Sequence, residues 1–346
     1  MTQNEIANNT RVATSPLTLG FIVLGATSLL GGCAGGAQWA RAVPPLSSAA
    51  ALRASKHCCS RQKTLFVVVT EGGTNLLGVV YGFDYNTGQL LMTLTPPPEG
   101  WNYPMGACSD SSGNVYIANH YSQTVDEYSH SGVYIFTISV PSQYPTNCAF
   151  DRSTGTLAIA NFASYGFPGT GSIVIYANGK ESAPLQPTDM THPYSLAYQG
   201  NTGRLWIDGA GLAGEDQYDS YFKGAFAVVP IQGAAISYAG QVMWSAQTRT
   251  MIVGDQYSFH KPITFYSVDS KGNVTGETTL DCPYQNDACG IPAATVKGPG
   301  IVVADNTNGT VKRFPYPAGG SYVINYSVPP YGFMEPFGVA VSPDVP

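Results

Sequence analysis

Six near-repeats, a lone strand pattern left over at each end and an aromatic, turn-rich composition predict an all-β chain. The predicted architecture is a six-bladed β-propeller of four-stranded blades, its ring closed by the C-terminal strand joining the N-terminal blade. Of the 346 residues, 44% are hydrophobic and only 11% charged, and 39 Gly, 25 Pro, 22 Tyr and 14 Phe favour short strands and turns over long helices.

The chain opens with an address. An apolar run from Leu17 to Leu30 ends in the small residues Gly31 and Gly32 before Cys33. It is too short to span a bilayer comfortably, but it suits the apolar core of an export signal. The stretch Leu30-Gly31-Gly32-Cys33 resembles a bacterial lipobox. The resemblance implies a signal peptide over 1–32, cleavage before Cys33 and lipid on that cysteine. Plain secretion and a retained membrane segment are the alternatives. Ala34 follows the cysteine in place of an inner-membrane-retaining Asp, which favours the outer membrane or cell surface.

Residues 33–63 read as a flexible tether rich in Ala, Ser, Gly and Pro. They hold Arg41, Arg53, Lys56, Arg61 and Lys63 and no acid, so the segment is basic. Anionic lipid is one surface for it, and a solvated linker is the plainer reading. From Thr64 onward there are 10 basic and 21 acidic residues, a net charge of −11. Nucleic acid is therefore excluded as a partner, because its binding rests on neutralised phosphates.

The repeat occupies 64–346. An alternating strand ends on a polar residue in "FVVVTE" (Glu71), "VYIAN" (Asn119), "LAIAN" (Asn161), "LWID" (Asp208), "MIVGD" (Asp255) and "IVVAD" (Asp305), at spacings of 48, 42, 47, 47 and 50 residues. Most are preceded by a short apolar strand introduced by Pro104, Pro145, Pro193 or Pro292. A third strand follows each, as in "TVDEYS" and "SIVIYA", and several copies add a fourth. Four strands at this period indicate propeller blades. The first repeat lacks its first strand, while "EPFGVAVSPD" at the end has that pattern and then stops. Joining the two removes the open edges.

The unit "PMGACSDSSGNVYIANHYSQTVDEYS" resembles an NHL-type repeat. The lipobox, tether and six blades together resemble bacterial propeller lipoproteins without assigned activity. That resemblance implies a membrane-tethered, extracytoplasmic binding or scaffold module, with a protein, peptide or glycan as ligand.

In four-stranded blades the second-strand ends and first-strand starts share one face. Glu71, Asn119, Asn147, Asn161, Asp208, Asp255 and Asp305 are thus expected around one rim of the channel. Their oxygens suit Ca²⁺ or another divalent cation, but Asn and Asp at strand ends also cap their own turns. No cofactor is otherwise expected. His120, His192 and His260 fall on the same face and form a zinc set only if they converge.

The alternative function is a metal-dependent lactonase or lyase. The fold is similar to that of the gluconolactonase and senescence-marker family, which implies a metal on Glu, Asn and Asp before first strands. Asn147 in "PTNCAFD" resembles the Asn, and Glu335 in "MEPFGVAV" is an imperfect counterpart of the Glu. The Asp position falls in "HPYSLAY", which offers Tyr194 and Ser195. The peptide-amidating lyases, with histidine-bound zinc, would need the three histidines together.

Two further features stand out. After Asp208 the chain inserts an acidic, tyrosine-rich stretch, where Glu215, Asp216, Tyr218, Asp219, Tyr221 and Phe222 are candidates for a loop binding sugar or peptide, an excursion packed on the neighbouring blade being the alternative. Export permits disulfides. Cys282 with Cys289, and Cys108 with Cys148 on corresponding strands of consecutive repeats, are the candidate pairs. No paired CxxC zinc pattern, nucleophile elbow, phosphate loop or His-Glu-x-x-His motif is present.

Overall fold

The computed structural model describes residues 66–72, 77–162, 170–187, 189–211, 216–230, 239–255, 263–280, 293–328, 333 and 335–342. Cys33 with its signal and tether, Glu215, His260, Cys282 and Cys289 lie outside them. Among the described residues all regular structure is strand, in six antiparallel four-stranded sheets.

Blade 1 holds β1 (Phe66–Glu71), β2 (Val79–Asp84) and β3 (Leu90–Thr93). Blade 2 holds β4 (Pro104–Ser109), β5 (Val115–Asn119), β6 (Thr124–Tyr128) and β7 (Tyr134–Ser139). Blade 3 holds β8 (Tyr144–Asp151), β9 (Thr156–Phe162), β10 (Ser172–Ala177) and β11 (Lys180–Glu181). Blade 4 holds β12 (Met190–Tyr198), β13 (Leu205–Gly211), β14 (Asp216–Phe222) and β15 (Ala225–Val228). Blade 5 holds β16 (Ala239–Ser245), β17 (Thr250–Asp255), β18 (Ile263–Val268) and β19 (Val274–Leu280). Blade 6 holds β20 (Ala293–Lys297), β21 (Gly300–Asp305), β22 (Thr310–Pro315) and β23 (Ile324–Tyr326).

The last strand, β24 (Pro336–Ser342), pairs with β1 from Phe66↔Ser342 to Glu71↔Pro336 and completes blade 1. The expected closure is therefore present. The six first strands touch in cyclic order, β24 to β4, β8, β12, β16, β20 and back to β24. Joining the ends across the ring spares the fold two open sheet edges.

Each hydrophobic cluster lies between two neighbouring blades, as the twisted packing of blades requires. Val68, Leu94, Ile117 and Tyr128 fill the seam of blades 1 and 2. Tyr116, Ile138, Cys148 and Ile159 fill that of blades 2 and 3. Second strands are sandwiched on both sides, so every residue of β5 and β17 is buried, whereas β3 and β7 alternate with solvent.

The first strands approach one another so closely at their starts that a side chain does not fit. A Cβ on Gly106 would lie 2.4 Å from the backbone oxygen of Thr146 on the next blade, and one on Gly338 would lie 2.2 Å from that of Met105. A register shift recurs beside these positions, at Pro104/Ala107, Pro145/Asn147, Pro193/Ser195, Ala239/Val242 and Thr70/Glu71. The bulge turns these five first strands at the channel mouth.

Candidate functional site

Second-strand ends and first-strand starts meet at one end of the channel, called the upper face. Asn119 pairs with Pro104, Asn161 with Pro145, Asp255 with Ala239 and Glu71 with Pro336. Asp305 ends β21 on the same side.

Asp208 departs from the expected rim. In blade 4 the residue opposite Pro193, the counterpart of Pro104 and Pro145, is Gly209, whereas Asp208 pairs with Ser195 further into the strand. Leu205 and Ile207 pack toward blade 3, while Trp206 packs toward blade 5. Asp208 shares the parity of Trp206 and so faces blade 5, where its charge reaches the Tyr266 phenol. A one-residue offset in a strand exchanges the two faces, and "LWIDG" gives no sign of which residue closes the repeat.

Two of the rim polar groups brace backbone. Asn119 is fully buried: its Oδ1 accepts the Asn102 N–H at 2.7 Å, and its Nδ2 donates to Gly100 O at 2.9 Å and to Asp126 Oδ2 at 3.1 Å. Asp305 Oδ1 accepts the N–H groups of Thr307 and Asn308, each at 3.1 Å, in its own turn. Asn147 and Asn161 differ. Both are buried, yet Asn147 Oδ1 and both amide atoms of Asn161 have no hydrogen-bond partner among the described residues. Such buried amides are costly unless something else satisfies them.

Bracing by Asn119 fixes an assembly of rings that no short motif announces. The loop before β4 is bonded to the end of β5, with His120 N–H donating to Tyr103 O at 3.2 Å and Tyr121 N–H to Asn102 O at 3.0 Å. Tyr103 sits in the left-handed region at φ 61°, rare for a bulky residue. Its ring lies 5.2 Å from Phe337, 5.5 Å from Tyr121 and 6.2 Å from His120. His120 continues the series to Tyr144 at 5.4 Å. Blades 1, 2 and 3 thus share one aromatic platform at the mouth, with Tyr121 45% exposed and the other four rings half-buried. Next to it Phe162 packs on His192 at 4.5 Å.

His120 and His192 keep to separate ring contacts and separate hydrogen bonds. Nδ1 of His120 lies 3.1 Å from Pro145 O. A carbonyl only accepts, so Nδ1 carries the proton and Nε2 is left as an acceptor. Burial lowers the His120 pKa to about 4, against the smaller raising effect of the Pro145 bond, so the ring is neutral at physiological pH. Burial lowers His192 as well; its Nδ1 contacts Thr191 Oγ1 at 2.7 Å.

The tyrosine-rich stretch forms a strand. Asp216 opens β14, which pairs with β13 and β15. Tyr218 is buried in the blade 4–5 core and Tyr221 packs against the blade 3–4 core, on the opposite face of the sheet. Asp219 is buried beside Gln217, whose Nε2 donates to its Oδ1 at 3.0 Å. Phe222, at the far end, lies under Arg204 at 4.7 Å. The expected shared stacking surface is absent, because strand alternation sends these rings to different sides.

Two further features line the channel. Cys108 and Cys148 are disulfide-bonded, Cα to Cα 5.6 Å, joining β4 to β8. All six first strands line a cavity of about 130 Å³ at the end away from the mouth, with the disulfide in its wall.

The described basic residues are sorted by face. Among the described residues, Arg152, Arg204, Arg249 and Lys297 lie at turns from first to second strands, and Lys180, Lys223 and Lys271 at turns from third to fourth strands. Both kinds of turn are on the lower face. The described connections and strand ends of the upper face carry Glu71, Glu99, Asp189, Asp255, Asp305 and Glu335 and no Lys or Arg.

Residues 62–161 match the SMP-30/Gluconolactonase/LRE-like region family. No curated protein matches the chain. Among solved structures, a chain of a nidogen/laminin complex aligns at TM-score 0.65 and 11% identity, over 80% of this chain and 98% of that one. The likeness shows the propeller fold. A streptogramin B lyase aligns at TM-score 0.47 and 16% identity, over 66% of this chain and 70% of that one. Regucalcin, a calcium-binding protein from Agrobacterium tumefaciens strain C58, aligns at TM-score 0.49 and 17% identity, over 65% of this chain and 74% of that one.

Proposed function

We propose that the chain is a non-catalytic binding module, tethered outside a membrane by lipid on Cys33, that engages a ligand with its upper face. The observation that carries this reading is the platform of Phe337, Tyr103, Tyr121, His120 and Tyr144. Asn119 beneath it holds backbone in place, and the half-exposed rings are the accessible chemistry there. Rigid, half-exposed aromatic surface fixed on a scaffold is what recognition sites present.

The lactonase reading draws on the matched region and on Asn147, whose buried Oδ1 has no partner among the described residues. The rest of that metal set does not fit. Tyr194 and Ser195 stand where the carboxylate is needed, and Ser195 Oγ already accepts the Val242 N–H at 2.9 Å. Among the described residues no three His, Cys, Asp or Glu side chains converge. Asn and Glu without the third acid lack the charge to hold a divalent ion firmly.

The purified protein, assayed on a panel of lactones with and without added Ca²⁺, Mn²⁺ and Zn²⁺ and in parallel on peptide and glycan arrays, tests the proposal. Array binding that Tyr121→Ala abolishes, without metal-dependent turnover, supports it. Metal-dependent turnover lost in Asn147→Ala overturns it.

A further inference from the structure

We infer that the ligand of the upper face is cationic, a peptide segment bearing lysine or arginine side chains. This rests on the binding-module reading and adds the chemistry of the partner.

Three observations converge. The sorting of charge leaves the described upper face with acids alone, while the described basic residues occupy the lower turns or, as Lys312 and Arg313, the body of β22. Lys312 directs its ammonium over the Tyr322 ring at 5.2 Å, and Arg313 lies over Tyr85 at 4.4 Å, so both are engaged within blade 6 or its seam. An excess of acid on a face attracts cations and repels anionic ligands.

The platform itself suits a cation. Glu335 raises the Tyr103 phenol pKa, after burial, by its own negative charge, which places that carboxylate's field on the central ring. Aromatic faces attract ammonium and guanidinium groups through the ring quadrupole, and a nearby carboxylate adds to the attraction. The mouth offers an acceptor as well. With its proton on Nδ1, His120 presents Nε2 as a lone pair. Lysine and arginine side chains carry donors only.

Calorimetric titration of the purified full-length protein with an octa-arginine peptide tests this, with octa-glutamate and a neutral cello-oligosaccharide as comparison probes. Octa-arginine is expected to bind, with an affinity that falls about tenfold between about 50 and about 300 mM salt as screening shortens the field. Tyr103→Ala and Glu335→Gln should each weaken it by about five- to tenfold, while Asp269→Asn, on an exposed lower turn, leaves it unchanged. Unaltered melting of Glu335→Gln shows that its fold is intact. Equal weakening by Asp269→Asn and Glu335→Gln would mean diffuse charge attraction and overturns the inference. Binding of the oligosaccharide but not octa-arginine, sensitive to Tyr121→Ala, also overturns it while the binding-module reading survives. Metal-dependent lactone turnover with no binding of any probe removes both.

Discussion

Asn119 Oδ1 accepts the backbone N–H of Asn102 at 2.7 Å while the same amide's Nδ2 donates to Gly100 O at 2.9 Å. One side chain at the end of β5 therefore pins two backbone groups, Gly100 O and Asn102 N–H, of the segment that delivers Tyr103. Asn119→Ala would leave a buried N–H and a carbonyl unpaired. It should destabilise the protein by about 1–3 kcal/mol in urea unfolding, and it should cost ligand affinity beyond what the loss of stability explains. A variant with unchanged stability and binding would show that the amide is dispensable.

The Cys108–Cys148 disulfide closes a segment with a sequence separation of 40 residues across blades 2 and 3. By loop-closure entropy its removal in the Cys108→Ser/Cys148→Ser double variant should cost about 3–4 kcal/mol. The same seam carries the His120 to Pro145 bond, so reduction with a thiol should loosen the platform as well as lower the melting temperature. Melting curves with and without reductant check the first point. An unshifted melt would show that blade packing alone holds the seam.

Asp126 is buried in blade 2, with Thr137 Oγ1 donating to its Oδ1 at 2.6 Å. Burial and the nearby Glu99 carboxylate raise its pKa to about 7, against the lowering bonds from Thr137 and Asn119. The native state therefore binds more protons than the unfolded chain between the ordinary carboxylate range and about pH 7. Stability held below that window is lost as pH rises through it. Glu127, raised to about 7 mainly by burial and by Asp110, acts in the same direction. Melting temperature should fall from about pH 4 to pH 7, and Asp126→Asn should flatten part of that slope. A stability that rises across the window would contradict the assignment.

Cys33→Ser should move the protein from the membrane fraction to the soluble extracytoplasmic fraction, since each buried methylene of an attached lipid contributes roughly 0.8 kcal/mol to anchoring. Continued membrane retention would count against lipid attachment at that cysteine.

Much of the fold was legible in the residues, because a blade is a local object. Its strands are joined by short turns, so "PMGACSDSSGNVYIAN" already contains β4, its turn and β5. The candidate site was only partly legible. His120 and Asn119 were visible as rim residues, but their roles came from neighbours that sequence spacing does not connect. Tyr103, Tyr144 and Phe337 gave no signal beyond lying just before or at the start of first-strand patterns. The Asp208 marker failed because parity, not polarity, sets which residue closes the repeat. The tyrosine-rich stretch took the packed alternative: its length extended a hairpin, and alternation buried Tyr218.

The sequence by itself determined the blade count and the ring closure, since strand periodicity and a split first repeat are written in consecutive residues. Charge sorting was present there too, but it became meaningful only when topology assigned alternate turns to opposite faces. Only the tertiary structure decided the platform, whose members come from positions 103, 120, 121, 144 and 337. Those rings meet because the ring brings blades 1, 2 and 3 side by side at the channel mouth, a proximity that chain order alone does not encode.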